Sequence, residues 1–314
     1  MTPGPLMMIG GAEDKVGARV VLQRFVRLAG GPDARIAVVA TASSLGQEAV
    51  ELYREAFGRL GVTDVRGPLP TTRTEAADPA LVAPLTDATG VFMTGGNQMT
   101  LAGALAGTPF GTAILDAHRR GAVVGGTSAG ASGQSEHMVA FGAEGATPKL
   151  RMVQMSAGLG LVQGVVVDQH FDQRNRYGRL LTLVAHSPHL LGIGVDEDTA
   201  ALVTEQRWLE VVGRGAVTIF DGSGISSNVD TARRSDPLLV SGAVVHSLPA
   251  GARFDLRDRV LLPTVSGRAD DLREPAPALP SAGLRGLARR VAAEGVGTGR
   301  TSRSARRTNN PEAS

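Results

Sequence analysis

The sequence predicts an α/β protein: a mostly parallel central sheet flanked by helices, with a β-rich extension of that sheet toward the C-terminal end. Three observations predict it. Short apolar runs bounded by Gly or polar residues recur along the first two thirds of the chain, as buried parallel strands do. Segments with helical spacing lie between them. From Ala200 to Val265 the pattern changes to strand-like pieces joined by tight turns.

The predicted strands, in order, are Leu6–Ile9, Ile36–Ala40, Gly90–Thr94 and Ala122–Gly125. Gln47–Leu60 reads as a helix. Val50, Tyr53, Phe57 and Leu60 share one face, and Glu48, Glu51 and Arg54 share the other. Phe110–Arg120 reads similarly, with Ile114, Leu115 and His118 around it. Strand–helix alternation of this kind argues for a parallel sheet. Leu161–Asp168 then reads as a strand, Arg174–His186 as a helix and Leu191–Val195 as a strand. Ala200–Thr204, Leu209–Val212, Ala216–Phe220 and Ala243–Leu248 read as antiparallel strands that extend the same sheet. No internal repeat is present. The expected organisation is one α/β hydrolytic domain over residues 1–266 and a flexible basic tail over 267–314, in which Ala282–Glu294 has a thin helical pattern.

Composition narrows the class. The 314 residues are 42% hydrophobic and 20% charged, a globular balance. There is no cysteine, which excludes disulfides, Cys-based metal sites and a cysteine nucleophile. The apolar runs fall well short of the roughly 18 residues of a transmembrane helix, and Met1–Ile9 lacks the pattern of a signal peptide. A cytoplasmic location is the simplest expectation, although a cysteine-free chain would also suit export. The net charge of +2 hides an asymmetry: residues 267–314 hold nine Arg against five Asp and Glu, so the body is slightly acidic.

The strongest chemical feature is Gly126-Thr127-Ser128-Ala129-Gly130, directly after an apolar strand and before a segment able to start a helix. That context is what a nucleophile elbow requires. The sharp turn presents the Ser128 hydroxyl at the carboxyl edge of the sheet, beside the Ala129 N–H as an oxyanion donor. Taken alone, such a run is equally a plain glycine turn. Gly95-Gly96-Asn97-Gln98, after a neighbouring strand, offers a second donor in Gly96.

A serine nucleophile needs a base. Of the six histidines, His170 follows a predicted strand and so also falls at a sheet edge, where ligands of open α/β sheets gather. His118 falls inside a helix. His137 is a fallback, and His186 and His189 flank a helix end. The orienting acid is expected from Asp196, Glu197 or Asp198, among which spacing does not choose. Beyond His170, Arg174, Arg176 and Arg179 would give the site a positive mouth suited to carboxylates. Asp168 and Asp172 in the same stretch could hold a cation. Together these suit a substrate bearing both carboxylate and guanidinium groups.

These segments together resemble the cyanophycinases, peptidase E-like serine peptidases of the class I glutamine amidotransferase-like, flavodoxin-like fold. The resemblance rests on Gly10-Gly11-Ala12-Glu13-Asp14-Lys15, on Gly95-Gly96-Asn97-Gln98, on the Ser128 elbow, on Asp168-Gln169-His170-Phe171 with its three arginines, and on Gly192–Ala200. It covers about residues 6–265. It implies hydrolysis of cyanophycin, a poly-aspartate with arginine on each side-chain carboxyl, to β-Asp-Arg dipeptides released from chain ends. By position it makes Ser128 the nucleophile, His170 the base and Glu197 the orienting acid. Gln98, Asp168, Gln169, Arg174, Arg176 and Arg179 fall in the implied substrate pocket. It also implies a homodimer that needs no metal or cofactor. On that reading the arginines anchor a terminal carboxylate and an acidic group in the pocket binds the branch guanidinium.

Two other functions fit part of the sequence. An aspartyl dipeptidase of the same fold, acting on small peptides with N-terminal Asp, would share the elbow, but the three-arginine stretch fits the polymer enzyme better. A nucleic-acid-binding role for the basic tail would use its arginines on phosphates. No aromatic residue interleaves them and the body is acidic, so nucleic acid and membrane are not expected partners.

Overall fold

The computed structural model describes residues 2–233 and 236–263. The expected tail, residues 267–314, lies outside the described residues. In chain order the elements are β1 (Leu6–Ile9), α1 (Val20–Leu28), β2 (Arg35–Val39), α2 (Gln47–Gly58), β3 (Asp64–Arg66), α3 (Pro79–Val82), β4 (Gly90–Met93), α4 (Gln98–Leu105), α5 (Pro109–Arg119), β5 (Val123–Thr127), α6 (Ala129–Ser132), β6 (His137–Gly142) and β7 (Val153–Ala157). There follow β8 (Val165–Gln169), α7 (Tyr177–His186), β9 (Leu191–Val195), β10 (Thr199–Thr204), β11 (Trp208–Gly213), β12 (Ala216–Asp221), β13 (Ser226–Ser227), β14 (Val240–Ser241), β15 (Val244–Pro249), β16 (Arg253–Asp255) and β17 (Val260–Leu262).

Nine strands form the main sheet, in the order β17-β16-β11-β10-β1-β5-β4-β2-β3. From β1 to β3 the neighbours are parallel, while β10, β11, β16 and β17 continue the sheet antiparallel. The predicted α/β class and the β-rich extension are therefore present, with one correction. β8, β9, β12 and β15 form a separate four-stranded sheet in the order β15-β12-β9-β8. The cause is the turn Asp196–Asp198, where Asp198 has φ 50°. β9 pairs with β8 and β12, and after this turn β10 pairs with β1 and β11 instead. Helix α7 also starts three residues later than its apolar pattern, because Arg174 to Arg176 form the turn carrying functional side chains.

Side-chain alternation sorts the core into layers. Leu6 and Met8 of β1 face α4, α5 and the small sheet, packing with Val124, Val167, Leu191 and Ile219. Met7 and Ile9 face α1 and α2. There Phe25, Tyr53, Phe57 and Phe92 pack with ring centroids 4.7–6.0 Å apart. Burying each such ring is worth roughly 1.5–3 kcal/mol. Helix α7 covers the outer face of the small sheet through Leu180, Leu183 and Val184. Among the described residues no helix is long and apolar enough to cross a membrane. The carboxyl ends of β1, β4, β5, β8 and β9 meet at one place, and the sequence-predicted site residues lie there.

Candidate active site

Strand β5 turns into α6 at Ser128, whose backbone has φ 52° and ψ −112°. Few L residues occupy such a conformation, and surrounding structure must enforce it. The flanking glycines show how. A Cβ on Gly126 would fall 2.2 Å from the Gly130 carbonyl oxygen, and one on Gly130 would fall 2.4 Å from the Met93 carbonyl oxygen. The elbow closes only without those side chains. The Ser128 N–H donates to the Ile9 carbonyl at 2.9 Å, tying the turn to β1. Ala129 is the first residue of α6, so its N–H has no intrahelical acceptor. Gly96 follows β4, the parallel neighbour of β5, and lines the same cleft.

His170 follows β8 in a left-handed conformation, φ 48°, and its N–H donates to the Gly10 carbonyl at 2.8 Å. Its Nε2 lies 3.0 Å from Ser128 Oγ and its Nδ1 lies 2.6 Å from Glu197 Oε1. Among the three carboxylates that spacing left open, Glu197 is the one that meets the imidazole. Asp196 accepts the N–H groups of Asp172 and Ala216, and Asp198 accepts that of Asp14. The Glu197 N–H donates to Gln173 Oε1 at 2.9 Å. Burial pushes the His170 pKa below its ordinary value; Glu197 opposes this, while Arg174 and Arg176 reinforce it. The hydrogen bond from His170 holds the Glu197 carboxyl below the usual carboxylate range. At neutral pH this favours a neutral imidazole on an ionised carboxylate. With Nδ1 donating to Glu197, Nε2 is free to accept the Ser128 proton.

The cleft in front of Ser128 has a volume of about 450 Å³ and is lined by Gln98, Gln169, Arg174, Arg176, Arg179 and the β6–β7 hairpin. Gln98 Nε2 donates to the Val139 and Ala140 carbonyls, fixing β6 against α4. Gln169 Oε1 lies 3.3 Å from Ser128 Oγ as a second acceptor for its proton. The three arginines differ in their commitments. Asp168 is fully buried and is not among the residues lining the cleft. Its carboxylate accepts Arg179 Nε at 2.6 Å, Arg179 Nη2, and Arg176 Nη1 at 3.3 Å. Arg176 also donates to the Gln169 carbonyl. Burial pulls the Arg176 pKa down to about 10 against the attraction of Asp168. Arg174 makes no ion pair among the described residues, and its Nη2 is buried without a hydrogen-bond partner. Burial lowers its pKa as well. Asp168 therefore shapes the cleft through two arginines, and Arg174 is the uncommitted cation on that wall.

The other histidines lie elsewhere. His118 is buried in α5, His137 is exposed at the start of β6, His186 ends α7, and the His246 ring packs on Phe254. Among the described residues no group of three or more His, Asp or Glu side chains has the arrangement to hold a metal ion.

Several contributors were not legible in the sequence. Gln173 was one. Gly11 was another: a Cβ there would lie 2.3 Å from His170 Cε1, so the imidazole occupies the space Gly11 leaves. A third is the buried Glu13. Its carboxylate accepts Thr127 Oγ1 and the Tyr53 hydroxyl, each at 2.5 Å, and pairs with Lys15 Nζ at 2.8 Å. Burial pushes the Glu13 pKa up, but Lys15, Thr127 and Tyr53 outweigh it and hold the carboxyl below its ordinary range. The Gly10–Lys15 run signalled this loop, though not what it touches. One loop thus contacts the strand end before Ser128, the backbone of His170 and, through the Gly11 carbonyl, the Asp198 N–H beside Glu197.

Comparison with known proteins gives the family. The family model of Peptidase family S51 matches residues 6–211. A cyanophycinase of Geminocystis herdmanii is 40% identical over 252 residues, spanning 80% of this chain and 93% of that protein. A cyanophycinase of a Nostoc species is 39% identical over 271 residues, 84% of this chain and 89% of that one. The crystal structure of a peptidase from an acI-B1 actinobacterium superposes with a TM-score of 0.59 at 21% identity, covering 81% of this chain and 97% of its own; it shares the fold. A family model matched over most of the chain, with relatives of this identity matched nearly end to end, shows that the chain belongs to Peptidase family S51.

Proposed function

We propose that the protein is a serine-type exopeptidase that hydrolyses cyanophycin to β-Asp-Arg dipeptides, with Ser128 as nucleophile, His170 as general base and acid, and Glu197 as orienting carboxylate. The observation that carries this reading is the Ser128–His170–Glu197 relay, with contacts of 3.0 and 2.6 Å, opening onto an arginine-walled cleft. Cyanophycinases as relatives supply the substrate.

The residues account for each step. Ser128 Oγ attacks the backbone carbonyl carbon while His170 Nε2 takes its proton. Glu197 stays ionised on the Nδ1–H and stabilises the imidazolium that forms. The Gly96 and Ala129 N–H groups face the developing oxyanion. The tetrahedral intermediate collapses, the C–N bond breaks, and His170 returns the proton to the leaving amine. A water deprotonated by His170 then attacks the acyl-Ser128 carbonyl and frees the enzyme. Arg174 anchors a terminal carboxylate, Arg176 and Arg179 hold the wall in place around Asp168, and Gln98 and Gln169 complete the pocket. A homodimer belongs to the same reading, as the resemblance implies, with a cytoplasmic location as the simplest expectation for the sequence.

The test is substrate competition. Purified protein is given insoluble cyanophycin or small dipeptides with N-terminal Asp, and products are read by mass spectrometry. Clearing of the suspension with release of β-Asp-Arg is the expected result. Cleavage of the dipeptides without clearing would replace this reading with an aspartyl dipeptidase.

A further inference from the structure

The cleft holds one acidic side chain among its described lining residues, and the steps of hydrolysis do not use it. Glu144 stands in the loop between β6 and β7 and lines the cleft together with four arginines, Arg151, Arg174, Arg176 and Arg179. Its side chain is exposed, but its backbone is held on both sides. The Gly142 carbonyl accepts Arg179 Nη1 at 3.3 Å, and the Ala143 N–H donates to the Met152 carbonyl at 2.9 Å. The Gly145 N–H donates to the Asn175 carbonyl at 2.7 Å, and the Gly145 carbonyl accepts the Gly178 N–H at 2.9 Å. The loop backbone that carries Glu144 is thus held against the turn that bears Arg174.

Glu144 and Arg174 line the same cleft, and neither makes an ion pair among the described residues. Both charges are thus open to a ligand that enters the cleft. A ligand that satisfies both must carry a cation and a carboxylate at once.

We infer that Glu144 is the specificity-determining residue of this cleft, accepting the guanidinium of the branch arginine while Arg174 takes a carboxylate of the same terminal unit. This rests on the proposed function and deepens it by assigning the branch to a side chain. A carboxylate accepts a guanidinium through charge-assisted and often bidentate hydrogen bonds. Citrulline has the same shape without the charge, so the preference for arginine over citrulline measures what Glu144 contributes.

Soluble β-aspartyl oligomers with arginine or with citrulline branches are the probes, and kcat/KM is measured for the wild type, Glu144→Gln and Glu144→Asp. The wild type prefers arginine branches, and Glu144→Gln reduces that preference by about tenfold or more, mainly through KM. Glu144→Asp retains most of it, which a merely structural role for the loop would not require. A wild type that prefers arginine, with the same preference in Glu144→Gln, overturns this inference and leaves the proposed function standing. A wild type that cleaves neither oligomer overturns both.

Discussion

The two ends of the cleft are built differently. At the Ser128 end nearly every polar group is committed. The elbow is closed by Gly126 and Gly130, His170 sits in the space left by Gly11, and Glu197 is held by Gln173. At the hairpin end the backbone is fixed, but Glu144 and Arg174 have no ionic partner among the described residues. The difference matches the demands on each end. Bond making needs groups placed before the substrate arrives, because a displacement of about 1 Å can cost on the order of a hundredfold in rate. Recognition needs charges that are still unpaired when the substrate arrives.

Substitutions at the committed end should therefore strike turnover, and the largest effect is expected from Ser128→Ala. It removes the nucleophile and should lower kcat by on the order of 10⁴-fold or more in a steady-state assay, with folding intact by circular dichroism. Gly11→Ala comes next. The added methyl must displace the imidazole and also strains a backbone at φ 105°. A loss of roughly a hundredfold in kcat, with a smaller change in KM, would mark it as acting through His170. Asp168→Asn tests the wall between the two ends. It leaves Arg176 and Arg179 buried without their counter-charge, so urea unfolding should reveal a loss of about 3–5 kcal/mol, accompanied by a raised KM. Unchanged stability would refute the structural part assigned to Asp168.

The smallest effect is a shift in pH dependence. Burial lowers the His170 pKa, so the acid limb of kcat/KM should have its midpoint below the ordinary histidine value of about 6.5. Activity falls as pH drops through that midpoint, because protonation removes the base. Glu197 opposes the lowering, so Glu197→Gln should move the limb to still lower pH while reducing the rate. A limb above 6.5, or one displaced upward by Glu197→Gln, would contradict the assignment of the base.

The same contrast explains what could be read in the sequence. The parallel half of the fold was legible because buried strands such as Gly90–Met93 are short apolar runs, and α2 carries a clear helical stripe. The elbow was legible because its steric demands fall on glycines next to the serine itself. The second sheet was not. Leu191–Val195 and Thr199–Thr204 are equally apolar, yet the strands on either side of the turn at Asp198 belong to different sheets. The hairpin was missed because β7 is only five residues long and none of them is buried, so its alternation marks no core face. Spacing offered three acids, the resemblance picked out Glu197 by position, and the physical reason, that Asp196 and Asp198 are committed to backbone N–H groups, needed the three-dimensional structure. Gly11 and Glu13 were out of reach for a different reason: the site residues they meet, His170 and Thr127, stand more than a hundred residues away in the chain.

The most direct test of this division is binding without turnover. A soluble β-aspartyl oligomer with arginine branches is titrated calorimetrically into Ser128→Ala and into the double variant Ser128→Ala with Glu144→Gln. Ser128→Ala should bind it with a Kd near the wild-type KM, and the double variant should bind about tenfold or more weakly. Failure of Ser128→Ala to bind, or equal affinity in the two proteins, would contradict the separation of chemistry from recognition along this cleft.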